Sequence, residues 1–199
     1  QLLAEKPVFW SGKTRAPLEG QQAFPTTAAG LPAWIGVGGT PQSVVRAAAY
    51  GLPLVVAVIG GSPAQFAPLV ELYRRVLAER ELPTLPVAMH SPGHVAATDE
   101  QAREEHFPAQ QETFARIGRE RGWPPMSRAD YDAQAGPTGA YFVGSPETVA
   151  RKIAWALRTL GLSRFQLKYA VGNLSPEKRR ESIRLYGEEV IPRVRELLT

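Results

Sequence analysis

The sequence predicts an α/β fold, a parallel β-sheet joined by helical crossovers, and three observations carry that prediction. Short uncharged apolar runs alternate with segments whose apolar residues recur at helical spacing. One helix-start signal, Ser or Thr followed by Pro at the first helical position, recurs at Thr40, Ser62, Ser145 and Ser175. At most of these the signal follows an apolar run and a glycine within a few residues, the succession of strand, turn and helix. A barrel and a doubly wound open sheet both fit this grammar.

Residues Gln1 to Pro7 read as the tail of a helix, and a stretch rich in Pro, Gly, Gln and Thr follows as connecting structure as far as Gly30. The regular unit begins at Leu31. Pro32 to Val37 reads as a buried strand, Pro41 to Tyr50 as a helix turning Val44, Val45, Ala48 and Ala49 inward, and Gly51 as its stop. Leu52 to Ile59 is the next strand and Gly60-Gly61 its turn. The helix after Ser62-Pro63 runs to Arg80 with Phe66, Leu69, Val70, Tyr73, Val76 and Leu77 on one face, and Ser62 with Gln65 forms a capping box. Leu85 to Met89 is the third strand.

The alternation then pauses. Thr98 to Gly122 is polar and helical in pattern, with Pro108 dividing it, and the segment to Gly139 is irregular apart from a short helix after Ser127. An excursion spanning residues 98–139 reads either as a lid or binding loop or as a packed surface insertion. Ala140 to Val143 resumes the strands. A helix after Ser145-Pro146 buries Val149, Ile153, Leu157 and Leu160, Phe165 to Tyr169 is the final strand, and the last helix carries Ile183, Tyr186, Val190, Val194 and Leu197 on its stripe. A closed eight-stranded barrel takes about 250 residues, so a chain of 199 residues holds roughly half of one, organised as a single domain over residues 1–199.

Composition narrows the function classes. With 44% hydrophobic residues the chain can bury a core. The net charge of +4 arises from 23 basic and 19 acidic residues, and the densest basic run, Lys178-Arg179-Arg180, is bracketed by Glu177 and Glu181. That is a solvated mixed helix face, not a nucleic-acid surface. Absence of cysteine excludes disulfides, thiolate metal sites and a cysteine nucleophile, and it fits a reducing, cytoplasmic location. The apolar run Leu52 to Ile59 is too short to span a bilayer. Because the chain opens on Gln1 instead of Met, further residues are expected upstream.

The best candidate site is the stretch Trp34-Ile35-Gly36-Val37-Gly38-Gly39-Thr40-Pro41-Gln42-Ser43-Val44-Val45, a buried strand passing through paired glycines into a helix N-terminus. Glycines let a ligand approach the backbone, and the free N–H groups of a helix start favour an anion such as phosphate. On local pattern alone, helix capping suffices to explain it.

These residues carry a resemblance. The segment from Leu31 to Ala48, the following Tyr50-Gly51-Leu52-Pro53-Leu54, and Val143-Gly144-Ser145-Pro146-Glu147-Thr148-Val149-Ala150 with Lys152-Ile153 resemble the bacterial luciferase-like flavin monooxygenases. The likeness implies the C-terminal half, strands five to eight, of that family's (β/α)8 barrel. It also implies that the turn after the fifth strand holds the cofactor phosphate, here Gly38, Gly39, Thr40 and Ser43. Relatives often place a second hydroxyl directly after the first, whereas Pro41 stands here and removes one N–H donor.

The function implied is a flavin-dependent oxidoreductase in which reduced flavin (FMN) activates O2 to oxidise a small organic substrate, with a flavin reductase as partner. A deazaflavin, F420, would make it a hydride-transferring dehydrogenase instead. Two other classes stay open: a non-catalytic barrel fragment that binds a flavin or another phosphorylated ligand, and a phosphate-using barrel enzyme of another kind. A half barrel leaves unpaired sheet edges, so pairing of two copies as a homo-oligomer, a dimer, is expected.

Of the histidines, His90 ends the third predicted strand, where a barrel places functional groups, and it joins Gly60 and Gly61 as a candidate for the substrate or cofactor pocket. His90 and His94 have the spacing of a helical metal pair, but Pro92-Gly93 between them opposes one helix and no metal site is expected. His106, beside Glu104 and Glu105, reads as solvated. No hydrolase elbow, Walker loop or dinucleotide fingerprint occurs, and no catalytic acid and base can be named.

Overall fold

The computed structural model describes residues 4–26 and 30–199. The chain divides into two compact units, Gln1–Trp34 and Ile35–Thr199. The first unit departs from the sequence expectation. Strands β1 (Val8–Trp10) and β2 (Leu18–Gln21) pair antiparallel, with a register shift between Val8 and Phe9, where connecting structure was expected. Of the expected helix tail, Gln1–Leu3 lie outside the described residues, and residues 4–7 form a turn with Glu5 at φ 53. Thr27–Ala29 also lie outside them.

The second unit follows the predicted alternation: β3 (Ile35–Val37), α1 (Pro41–Ala49), β4 (Leu54–Ala57), a 3-10 turn (Pro63–Phe66), α2 (Ala67–Glu79), β5 (Val87–Val95), α3 (Asp99–Arg121), α4 (Arg128–Ala135), β6 (Phe142–Gly144), α5 (Pro146–Leu160), β7 (Arg164–Lys168) and α6 (Pro176–Leu185). A π-helical turn, Tyr186–Val190, joins α6 to α7 (Ile191–Leu198). All sheet pairings in this unit are parallel, in the order β3-β4-β5, with β7 on β5 beside the lower residues and β6 on its last three, Gly93 to Val95. The sheet is open: β3 and β7 do not meet across a closed barrel among the described residues.

Register sorts the side chains into two faces. Ile35, Leu54 and Val87 form one row and Val37, Val56, Met89 and Phe165 the next. These rows join the core with α1, α2 and α5 through Val44, Ala47, Tyr73, Leu77, Ile153 and Leu157. Gly36, Val55, Ala88 and Arg164, then Ala57, His90 and Gln166, then Pro92 and Lys168, occupy the opposite face. Within α1, Val45 and Ala49 are exposed and Ala47 turns inward with Val44 and Ala48, and Ile183 in α6 is likewise exposed.

The third strand runs past Met89, through Pro92-Gly93, to Val95. Proline normally breaks a ladder by removing a donor. Here Val58 N donates to the His90 carbonyl at 2.9 Å, so the next ladder bond would run from the missing N–H of residue 92 to the Val58 carbonyl. The Ser91 hydroxyl donates to that carbonyl at 2.8 Å and replaces it. Gly93 then allows the approach of β6, since a Cβ there would overlap the Phe142 carbonyl and the Leu167 side chain.

Pro108 sits inside α3 without dividing it. It lies on the exposed side of the helix, and so does Glu104, whose carbonyl its ring deprives of a partner, so water can take that bond. Excursion residues Ala102, Met126, Tyr131 and Ala135 belong to the hydrophobic core. No helix among the described residues is long and apolar enough to cross a membrane.

Candidate functional site

The C-terminal ends of β3, β4, β5 and β7 lie along one rim of the sheet, where a parallel α/β sheet places its ligand groups. At β3 the chain turns through Gly38 and Gly39, the latter at φ 133, into the exposed Thr40 and the first turn of α1. Other helices that begin at a hydroxyl residue are capped by it: Thr98, Ser127, Ser145 and Ser175 each accept from the backbone N–H three residues on. Thr40 makes no such bond. Its hydroxyl donates to the Ser43 hydroxyl at 2.8 Å, while its carbonyl accepts from Ser43 N at 3.1 Å. A Cβ built on Gly38 or Gly39 meets nothing within 4 Å, so the space over the turn is open to a ligand.

Beside it, β4 ends in Ile59, Gly60 and Gly61. Gly61 N donates to Gln134 Oε1 of α4 at 3.0 Å, which ties this turn to the excursion. A half-open cleft of about 340 Å³ lies here, with Ile59, Gly60, Pro92 and Lys168 from the sheet rim on one side and Gln110, Phe114 and Ile117 of α3 on the other. Trp123 and Arg121 close its end, the guanidinium 5.2 Å from the indole centroid. The excursion is therefore a packed wall of the cleft.

Of the predicted pocket residues, Gly60 lines the cleft and Gly61 turns away to bond α4. His90 lies one layer below, in the row of Ala57 and Gln166, two residues before the lining Pro92. Burial and the nearby Lys168 charge hold its pKa below the ordinary histidine value. Sequence reasoning missed Lys168, Gln110, Tyr141 and Trp123. The signal for Trp123 was there, an aromatic in the irregular Gly122-Trp123-Pro124-Pro125 segment, but nothing in the pattern placed it against the rim.

Tyr141 accepts from Gln110 Nε2 at 3.1 Å, and burial raises its pKa. It stays a neutral phenol with a proton to donate. Among the described residues no carboxylate lines this cleft, so those that do can bind, orient and exclude water but offer no carboxylate base.

His106 is fully buried, which corrects the solvated reading. Its Nδ1 meets the Tyr131 hydroxyl at 3.0 Å, and its ring stacks on that of His94 with centroids 6.2 Å apart. His94, also fully buried, holds Glu105 Oε2 at 2.8 Å. The sequence neighbours Glu104 and Glu105 misled because they point to other faces of α3. Among the described residues no group of three or more metal-ligating side chains assembles.

A family model described as luciferase-like monooxygenase matches residues 1–164. The chain belongs to the luciferase-like monooxygenase family. Solved structures share the fold of this luciferase-like chain. Monooxygenase RslO1 from Streptomyces bottropensis superposes with a TM-score of 0.70 at 21% identity, over 96% of this chain and 57% of that one. The oxygenating constituent of 3,6-diketocamphane monooxygenase from Pseudomonas putida, solved in complex with FMN, gives 0.63 at 18%, over 96% and 59%. The coenzyme F420-dependent tetrahydromethanopterin reductase from Methanopyrus kandleri gives 0.57 at 18%, over 96% and 59%. The chain thus spans 57% to 59% of the length of these three proteins. No curated protein matches it.

Proposed function

We propose that this luciferase-like chain is the C-terminal half of a (β/α)8 barrel and acts as a flavin-dependent monooxygenase on a small organic substrate. The observation that carries the reading is the turn of Gly38, Gly39 and Thr40, open above both glycines and with its hydroxyls turned away from capping. Its residues fit a phosphate: the Ser43 hydroxyl, which accepts from Thr40, keeps its own proton to donate to an anion, the glycines allow close approach, and the dipole of α1 favours the anion. Reduced FMN, when bound, supplies the activation of O2 for oxidation of the substrate.

The chain's own residues then bind and orient. Pro92, Ile59, Phe114 and Ile117 offer an apolar slot for a flat ring or substrate, and the Tyr141 phenol and Lys168 ammonium supply polar contacts at its edge. Gln110 fixes the direction of the Tyr141 proton. Strands from upstream chain, or a second copy in a homodimer, would complete the sheet and cover the face that carries Val55, Ala57 and His90. A cytoplasmic setting with a flavin reductase as electron source belongs to the same reading.

A second reading, an F420-dependent dehydrogenase, stands beside it, because an FMN-bound monooxygenase and an F420-dependent secondary alcohol dehydrogenase share this fold at the same identity, 18%. Titration with FMN, riboflavin and F420, followed by flavin fluorescence, separates the two. Saturable binding that prefers FMN over riboflavin supports the first reading, and preference for F420 supports the second. Binding of none of them by the gene product that includes any upstream strands overturns both.

A further inference from the structure

A second cleft, of about 430 Å³, opens between α3, the end of α4 with the segment after it, and α5. Its wall carries Lys152 and Trp155 of α5, Arg103 and Asp99 of α3, and Pro137. Lys152 is 6% exposed. Its ammonium donates to the Gly136 carbonyl at 2.5 Å and the Tyr141 carbonyl at 2.6 Å, and it lies 5.0 Å from the Phe142 ring. Two of its three N–H donors are thus committed to carbonyls, which leaves one.

The charges around the cleft are unbalanced. Among the described residues no carboxylate forms an ion pair with Lys152 or Arg103, and the buried Arg103 Nε has no hydrogen-bond partner. Asp99 is the acidic residue of the wall: Oδ1 accepts from Ser145 N at 2.6 Å and Oδ2 from the Thr148 hydroxyl at 2.9 Å, and its charge acts on Arg103 from beyond ion-pair distance, so one carboxylate stands among the cations Arg103, Arg151 and Lys152. Arg151, also on the wall, is paired with Glu147 at 2.6 Å. Lys152, buried with no carboxylate paired to it, is costly to keep charged, and an anion entering the cleft would relieve that cost.

We propose that this cleft is a binding site for a small organic carboxylate, its oxygens held by Lys152 and Arg103 and its apolar body laid against Trp155 and Pro137. The planar Arg103 guanidinium, whose terminal N–H groups make no hydrogen bond or ion pair among the described residues, suits a carboxylate, and the apolar wall favours an acid with a hydrophobic body over a hydrated inorganic anion. Burial and the Arg103 charge bring the Lys152 pKa down to about 7. Arg103 of α3 acts on the amine and carbonyls from the segment between α4 and β6 accept from it, while Asp99 of α3 and Arg151 of its own helix are the other charged groups of the cleft wall. A bound carboxylate favours the protonated amine, so affinity is greatest below that pKa and falls as pH rises through it.

Calorimetric titration with benzoate, and with the uncharged isostere benzamide, tests the site on the intact protein. Benzoate is expected to bind saturably at pH 6, benzamide at least about tenfold more weakly, and benzoate affinity to fall about tenfold by pH 8.5. Lys152→Met and Arg103→Gln are each expected to weaken benzoate by about tenfold or more. The Arg103 variant keeps the test decisive if loss of the Lys152 bonds loosens the fold. Thr40→Val should leave benzoate affinity unchanged, which separates this site from the flavin reading. No saturable benzoate binding, equal binding of benzamide, or wild-type affinity in Arg103→Gln would overturn the proposal.

Discussion

The Thr40 hydroxyl donates to the Ser43 hydroxyl at 2.8 Å and leaves the start of α1 without a side-chain cap. A cap serves folding, whereas two paired and exposed hydroxyls beside open glycines serve a ligand better. Thr40→Val keeps the shape and removes the hydroxyl that holds Ser43 with its proton free for a ligand. Under the flavin reading it is expected to weaken FMN about tenfold, the value of one hydrogen bond to a charged group, and to leave riboflavin affinity unchanged. Fluorescence titration of both ligands against wild type and variant checks it. Equal weakening of both would mean that Thr40 touches something other than the phosphate.

The Ser91 hydroxyl stands in for the N–H that Pro92 lacks, and Ser91 is fully buried. Ser91→Ala removes that donor and strands the Val58 carbonyl. The expected cost is about 1–3 kcal/mol, the desolvation penalty of an unmade buried bond. Urea denaturation measures it, and the midpoint should fall with the slope unchanged.

Much of this fold was legible because strand, glycine turn and Ser/Thr-Pro helix start are local signals. Ser145 and Ser175, for instance, cap helices as their sequence implies. Residues 8–21 hid their hairpin because β2 is Leu-Glu-Gly-Gln, with no apolar alternation to read. The continuation of β5 through Pro92 depends on a side-chain substitution for a ladder bond, which no propensity encodes. At the site, the glycine turn could be read from its own residues. The cleft could not, since it juxtaposes α3 with strand ends tens of residues away. Lys152 did leave a trace: it falls on the inward stripe of α5 between Val149 and Ala156, where a charge is out of place.

Buried His94 and His106 both have pKa values held down by burial, His106 to about 3. They are neutral in the native state at neutral pH. In the unfolded chain they take up protons as pH falls below about 6.5, so the unfolded state binds more protons and stability falls with pH in that window. Within that window His106 contributes about 1.4 kcal/mol per pH unit. His106 exerts its effect from about 6.5 down to about 3. His106→Gln is expected to be less stable at pH 7 and to show a flatter decline between pH 6 and pH 4.5. Urea midpoints across that range check it, and a variant with the wild-type slope would show that His106 is not what titrates.

Tyr131 of α4 is fully buried against His106, while Ile117 of α3 is half-buried and faces the first cleft. If the excursion is a wall, its two surfaces must respond differently to truncation. Tyr131→Ala opens the core and is expected to cost about 3–5 kcal/mol, seen as a large fall in the urea midpoint. Ile117→Ala removes contact area from the cleft, with a stability loss below about 1.5 kcal/mol because the side chain is not fully enclosed. Its effect should appear in binding, as a several-fold loss of flavin or substrate affinity with folding retained. A freely moving lid would give the opposite result, because Tyr131 would then tolerate truncation and the cleft would open and close without its support. Paired denaturation and titration of the two variants distinguish a wall from a lid, since a wall couples the fold to Tyr131 and the ligand to Ile117.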